Sequence, residues 1–409
     1  MSRKKAKKKA AKTVAKKPAE KQSATVIREK SSIIVLSIAA AIFLAALFFI
    51  YSVDILHGAG DIFTSKTDEM IEYERATVVK ITNEDKKADE VETDAFKGEQ
   101  DLQVIIKTGR YKNETMEANN YFGPLYGVPV EENDSVILAV KTHPDGTRSA
   151  NVYEYNRIPA LFCLLLVFFA VIIIVGRLTG LKSLIGLIFT VICLFAILIP
   201  LLLKGAPTIL TTFITCAFIA LVCFTILGGV HRKSISAFLG TVSGAFLAMV
   251  LGVAVQHIAK IDGLRLDDAE ALLQMKAYGL TMGVKGLLVA GIIISALGAV
   301  MDIAMSISSA LEEIHSANPS LKRNELFKSG MNIGRDMAGT MTNTLILAFL
   351  GSEFTLTIFL YARGLTFYHL YGSAFVSIET ISGLASSIGM IMAIPLTALI
   401  SSALISREK

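Results

Sequence analysis

The chain lacks most of what marks a soluble enzyme or a disulfide-stapled secreted domain. Only four of its 409 residues are cysteine, Cys163, Cys193, Cys216 and Cys223, and all four fall inside apolar segments. They offer neither a disulfide framework nor zinc-type spacing. Cys216 and Cys223 lie seven apart on one helix face and read as small packing residues. Walker A, glycine-rich dinucleotide, serine-elbow and metal-binding patterns are missing, so no cofactor is expected and the chain is read as not an enzyme. Charge is also scarce. Charged residues make up 18% and hydrophobic ones 53%, too apolar a balance for an ordinary soluble globule and enough for several membrane spans.

What charge there is sits unevenly. The net charge of +5 conceals twelve lysines and arginines against Glu20 and Glu29 in residues 1–30, while residues 52–157 are acidic by about nine charges. A run such as Arg3-Lys4-Lys5-Ala6-Lys7-Lys8-Lys9 can serve as a nucleic-acid patch, but here it directly precedes an apolar span. It reads as a disordered cytoplasmic tail, residues 1–31, touching anionic lipid, with no nucleic-acid partner.

Residues 32–51 form an uncharged run long enough to cross the hydrocarbon core. No small-x-small cleavage site follows it, so it is an uncleaved signal anchor rather than a signal peptide. Residues 52–157 then carry period-two apolar runs at 76–81, 102–106, 136–140 and 150–155, separated by turn-forming stretches such as His143-Pro144-Asp145-Gly146. Four or five short strands of this kind predict a small β-barrel or sandwich, with the five-stranded oligomer-binding type one candidate. From residue 158 to 406 the chain is mostly membrane, with spans read near 158–176, 184–203, 206–228, 235–257, 286–308, 336–361 and 380–405. The fold class expected is therefore an all-α polytopic bundle of about eight transmembrane helices, with an extracytoplasmic all-β domain inserted between the first two. With both ends cytoplasmic, the connectors Arg177/Lys182, Arg232/Lys233 and Lys322/Arg323/Lys328/Arg335, and the terminal Arg407-Glu408-Lys409, all fall inside. The loop 258–285, with Asp262, Asp267, Asp268 and Glu270, falls outside and lacks the spacing of a calcium loop.

Small residues recur every fourth position at Ser236, Gly240, Gly244, Ala248 and Gly252, which predicts a close helix-packing seam. Polar residues concentrate in the next two spans. Ser295, Asp302, Ser306 and Ser309 share one helical stripe, and Asp336, Thr340, Asn343 and Thr344 share another. Glu353 and Glu379 lie further along. Such groups are costly in lipid unless paired or wet, and the excess of carboxylates suits a cation or proton path. Two simpler roles stay open: Asp302 can pair with Arg335 to lock two helices, and Arg363 can neutralise Glu353 or join an aromatic belt with Phe367, Tyr368 and Tyr371. An aspartyl protease dyad of Asp302 and Asp336 lacks the glycine-flanked setting such a pair needs. Between these spans, Asn318-Pro319 and Ser329-Gly330 predict the start and stop of a short connector helix, 320–328.

The stretch Gly298-Ala299-Val300-Met301-Asp302, continuing through Ser306, Ser308 and Ser309, together with Gly334-Arg335-Asp336 and Thr340-Met341-Thr342-Asn343, resembles the signature of YibE/F-like membrane proteins of Gram-positive bacteria. The likeness covers about residues 155–406, with Gly180-Leu181-Lys182, Ile199-Pro200 and Gly240-Thr241-Val242-Ser243-Gly244 as further matching pieces. The amino-terminal span and β region make it similar to the YibE type. The resemblance implies a multi-pass protein of the cell membrane, with a YibF-like partner or a second copy beside it in the bilayer. Permease is the usual reading of the family. The expectation is a permease or secondary transporter using Asp302, Ser306, Ser309, Arg335, Asp336, Thr340, Asn343 and Glu353 as its path. The alternative is a non-transporting scaffold or envelope-assembly factor acting through the β domain.

Overall fold

The computed structural model describes residues 70–89, 95–143, 146–266, 269–277 and 281–406. The expected basic tail, the first span at 32–51, Pro144, Asp145, Asp267, Asp268 and the terminal Arg407 to Lys409 lie outside the described residues. The chain divides into two compact units, with a boundary between Val175 and Gly176.

The first unit contains five strands: β1 Met70–Ala88, β2 Phe96–Ile106, β3 Thr115–Phe122, β4 Ser135–Thr142 and β5 Arg148–Tyr155. They close into a barrel in the order β1-β2-β3-β5-β4, all neighbours antiparallel except β3 and β5, which meet at Asn119 and Asn151. This order is that of the five-stranded oligomer-binding type. The alternation expected at 102–106 and 136–140 supplies Leu102, Val104, Ile106, Val136, Leu138 and Val140 to a core shared with Ala76 and Val78. β3 is missing from the sequence expectation because its inward positions are Met116, Ala118, Asn120 and Phe122, in which alanine and asparagine blur the period-two signal.

Two amides replace hydrocarbon at one point of the barrel interior. Gln100 and Asn120 are each 1% exposed, a placement that is costly unless every polar atom is paired. Gln100 donates to Glu84 and to the Val130 carbonyl and accepts from Val130 N–H and from Asn120, which also donates to the Val128 carbonyl, at 2.9–3.0 Å. The network fastens the segment before β4 across β2 and β3.

The helical unit starts within α1 Ile158–Ile192, which runs through a π-helical turn at Cys193–Leu198 into α2 Ile199–Leu203. Two spans with a connector at 177–183 were expected here. The structure breaks the helix at the start of that connector: Arg177 leaves the helical region (φ 49°, ψ −130°), and two helices meet there at a kink rather than across a seven-residue loop. Pro200 has no N–H and crowds the preceding turn, and the wider π-turn sits where that crowding falls.

The remaining helices are α3 Thr208–Gly228, α4 Arg232–Ala259, α5 Ala269–Ala277, α6 Leu287–Ala317, α7 Arg323–Ser352, α8 Phe354–Ala362, α9 Phe367–Gly372 and α10 Ala374–Ile405. Among the described residues five helices are long and apolar enough to cross a membrane, and a sixth span results if α7 and α8, bent by 67°, count as one. The chain is thus a multi-pass membrane protein. α6 lies at the centre: Ile292, Val300, Ile303 and Ile307 pack against Met390, Ala393 and Ile394 of α10, while Val289, Ile293 and Leu297 face Ile219 and Phe224 of α3.

The small-residue seam of α4 packs within the chain. A side chain on Gly240 would collide with Thr397, and one on Gly244 would come within 2.7 Å of Ala393 and 2.8 Å of Val300. Ala248 in turn presses on Gly389, where a Cβ would lie 2.6 Å from it, and Gly252 faces Ile292. Cys216 and Cys223 are buried beside this core, with the Cys223 thiol 3.7 Å from the Gly186 carbonyl, in the packing role expected of them.

The connector helix expected at 320–328 is not a separate element. Asn318 ends α6 and its side chain accepts from the Ser320 N–H and hydroxyl at 3.3 and 2.6 Å, while Glu325 reaches back to the Lys322 N–H at 2.7 Å to start α7. The helix then passes straight through Ser329-Gly330. Gly330 is a packing glycine rather than a stop: a Cβ there would meet Ala398 and Leu311 at 3.0 Å.

Two outcomes test this packing. Gly244→Val should lower the thermal midpoint of the purified protein, whereas Gly291→Ala, where nothing lies within 4 Å of the new Cβ, should hold or slightly raise it. Gln100→Ala takes the acceptor from one Asn120 amide N–H and from the Val130 N–H and should cost the barrel about 1–3 kcal/mol in denaturant unfolding.

Candidate functional site

The polar residues of α6 divide by direction. Ser308 is buried and shares a 2.9 Å hydrogen bond with Ser401 of α10, and Ser295 shares one of 2.6 Å with Ser386. These two bonds pair α6 and α10 in the same direction. α4 runs opposite to both, since Lys233 at its start meets Glu312 at 3.2 Å and Arg232 donates to the Leu404 carbonyl at 3.0 Å. Ser386 and Ser401 were not singled out from the sequence, because serines that pack between helices and serines that face water look alike in a single chain.

Asp302 and Ser306 point the other way, on the exposed face that also carries Gly291 and Gly298, with Ser309 half-buried at its margin. On α7, Arg335, Asp336, Thr340, Asn343 and Thr344 are likewise exposed, while Ile333, Met337 and Met341 turn into the core beside α10. Thr340 and Thr344 donate to the Met337 and Thr340 carbonyls at 3.0 and 2.9 Å and are satisfied within their own helix. Measured from the α6–α7 connection, Asp302 lies about 22 Å up one helix and Asp336 about 20 Å up the other, so the carboxylates share a depth. The two stripes therefore sit on neighbouring helices at one level, and both are left uncovered by the rest of the bundle.

Asp302 and Arg335 do not pair. Among the described residues neither side chain has a hydrogen bond or ion-pair partner, nor do those of Ser306, Ser309, Asp336, Asn343 or Glu353. The locking role offered for Asp302 is thus not what the structure displays, and Arg363 lies over the Phe359 ring, 5.4 Å from its centroid, rather than on Glu353.

Glu353 occupies the break between α7 and α8, with φ −101° and ψ 22° where the 67° bend occurs. The bend opens a cavity of about 780 Å³ between the end of α7, α8, α9 and the start of α10. Its walls are mostly leucine and aromatic side chains, and its carboxylates are Glu353 and Glu379, with no lysine, arginine or histidine in the lining. Glu379 was noted from the sequence only as the opening of the last helix. Its place in the same cavity wall as Glu353 depends on the bend at Glu353, which follows Gly351-Ser352, a Gly/Ser pair of the kind at which helices kink. The loop residue Asp262 uses its carboxylate to cap a 3₁₀ turn at Leu264 N–H, 3.3 Å away, as an ordinary loop acid does.

Residues 164–407 match the family model described as YibE/F-like protein, and residues 69–155 match that described as YibE/F family N-terminal domain. A search of curated proteins and one of solved structures find no match to the chain.

With the four native cysteines replaced, Asp302→Cys and Asp336→Cys should react with a membrane-impermeant maleimide while Ser308→Cys stays protected. Protection of all three would mean that the exposed face meets lipid or a partner instead of water.

Proposed function

Because the chain belongs to the YibE/F-like family and carries several membrane-length apolar helices, we propose that it is a permease or secondary transporter for a small solute or ion. The observation that carries this reading is the cavity at the broken α7–α8 helix with Glu353 in its wall. Helix breaks are tolerated at membrane depth where they line a cavity, and an intramembrane carboxylate is costly unless it serves a solute, a proton or a partner. Asp302 and Asp336 are the protonatable or cation-binding groups further along the route, Arg335 sets their charge, and Ser306, Ser309, Thr340 and Asn343 line it.

In this reading the joined ends of α4, α6 and α10, marked by Arg232, Lys233, Lys322 and Arg323, face the cytoplasm of a bacterial cell, and the barrel is exported. A YibF-like protein or a second copy is the chain's partner in the bilayer. One observation favours the scaffold alternative: the barrel exposes Tyr121 and Tyr126, and an edge-to-face pair of Tyr73 and Tyr153 with centroids 4.9 Å apart. Exposed aromatic side chains are common anchors in binding faces.

In proteoliposomes, Asp302→Asn, Asp336→Asn and Glu353→Gln should each lower uptake by about tenfold or more, equivalent to ~1.4 kcal/mol of lost stabilisation. Unchanged uptake in all three removes the role given to these carboxylates. Deleting residues 70–155 should leave measurable flux in a permease and abolish the function of a scaffold.

A further inference from the structure

We infer that the cavity at the α7–α8 break binds an organic cation, an ammonium group joined to an apolar or aromatic body, rather than a bare metal ion or an anion. This rests on the permease reading for its purpose but not for its chemistry. The cavity's volume of about 780 Å³ lies within the range of small-molecule sites, ~300–1,000 Å³, and is far larger than a single dehydrated ion requires. Its polar groups decide the charge. Glu353, with no partner of its own, is an acceptor when ionised, Glu379 stands in the same wall, and among the described residues the lining contains no cationic side chain. The two threonine hydroxyls in the wall are already engaged: Thr357 donates to the Glu353 carbonyl at 2.9 Å and Thr380 to the Val376 carbonyl at 2.7 Å. An anion would meet the carboxylates, with only the phenol hydroxyls of Tyr361 and Tyr371 left to donate to it.

A metal ion fits no better. Calcium takes about six to eight oxygen ligands and magnesium a near-octahedral set, whereas two carboxylates in an otherwise hydrocarbon wall supply too few. No group of three or more histidine, cysteine, aspartate or glutamate side chains able to hold a metal occurs among the described residues. The walls suit an apolar body: Phe349, Leu350, Leu360 and Leu384 offer hydrocarbon, and Tyr361 and Tyr371 offer ring faces that attract a positive charge. Gly383 lets α10 come close beneath Phe349, where a Cβ would sit 3.3 Å from the ring, so the floor of the cavity is formed by direct α7–α10 packing.

The test uses the full-length protein in phosphatidylcholine nanodiscs with ethidium as the fluorescent probe and empty nanodiscs as the blank. Ethidium should bind saturably, and benzyltrimethylammonium should displace it while benzyl alcohol and calcium do not. Glu353→Gln and Glu379→Gln should each weaken binding about tenfold, and Leu384→Trp, which fills the cavity without touching its charge, should weaken it comparably while the thermal midpoint holds. Ethidium binding that is absent, unchanged in all three variants, or displaced by calcium overturns the assignment. Saturable, Glu353-dependent binding without ethidium counterflow in proteoliposomes removes the permease reading and leaves the ligand class standing. Counterflow of an inorganic ion with no ethidium binding does the reverse.

Discussion

Helices in hydrocarbon gain little by hiding apolar side chains from a solvent that is itself apolar, so the bundle depends on how closely α4, α6 and α10 approach. That approach is set by a few positions without bulk: Gly240 and Gly244 on α4 against Thr397, Ala393 and Val300, and Ala248 against Gly389. Gly330 and Gly334 repeat the device on α7, where side chains would run into Ala398 and Ile394. Dispersion between backbones at such distances replaces the burial term that holds the barrel core.

The same constraint sorts the polar residues. Where backbones are close, a hydroxyl must find its partner across the contact, and Ser295 with Ser386 and Ser308 with Ser401 do so. Residues on the opposite faces of α6 and α7 have no such neighbour. Asp302, Arg335, Asp336 and Asn343 are left for whatever meets that surface, and Glu353 for whatever enters the cavity. Structural polarity points inward here, and the polarity with a functional claim points outward or into the helix break.

Much of this was legible in the chain. Apolar run length marks the spans, alternation marks four of the five strands, and four-residue spacing of small residues marks the α4 seam. The signature around Asp302 and Asp336 agrees with the family match over residues 164–407. What could not be read depends on geometry between elements. β3 escaped because alanine and asparagine fill its inward positions. Ser329-Gly330 looked like a helix stop because glycine ends helices and also permits close packing, and a sequence does not separate the two uses. The 67° bend at Glu353 follows Gly351-Ser352, a pair that permits a kink but is equally at home in an unbroken membrane helix, so the cavity shared by Glu353 and Glu379 could not be read from it.

The barrel's closure has a further consequence. A sheet with a free edge invites strand addition from any extended segment nearby, and copies of one membrane protein are crowded in two dimensions. Here β1 through Thr77 is held by β4, while β3 meets β5 at a single pair, Asn119 and Asn151, so the seam between those two strands is the weakest part of the closure. Beyond Thr77, β1 continues to Ala88 paired to β2, and that outer hairpin carries Lys80, Glu84, Asp85, Lys86 and Lys87. Charges of both signs on such a margin discourage self-templated pairing. Strand addition is therefore left to the short β3–β5 seam, and over the rest of the wall neighbouring copies can pack without their sheets growing into one another.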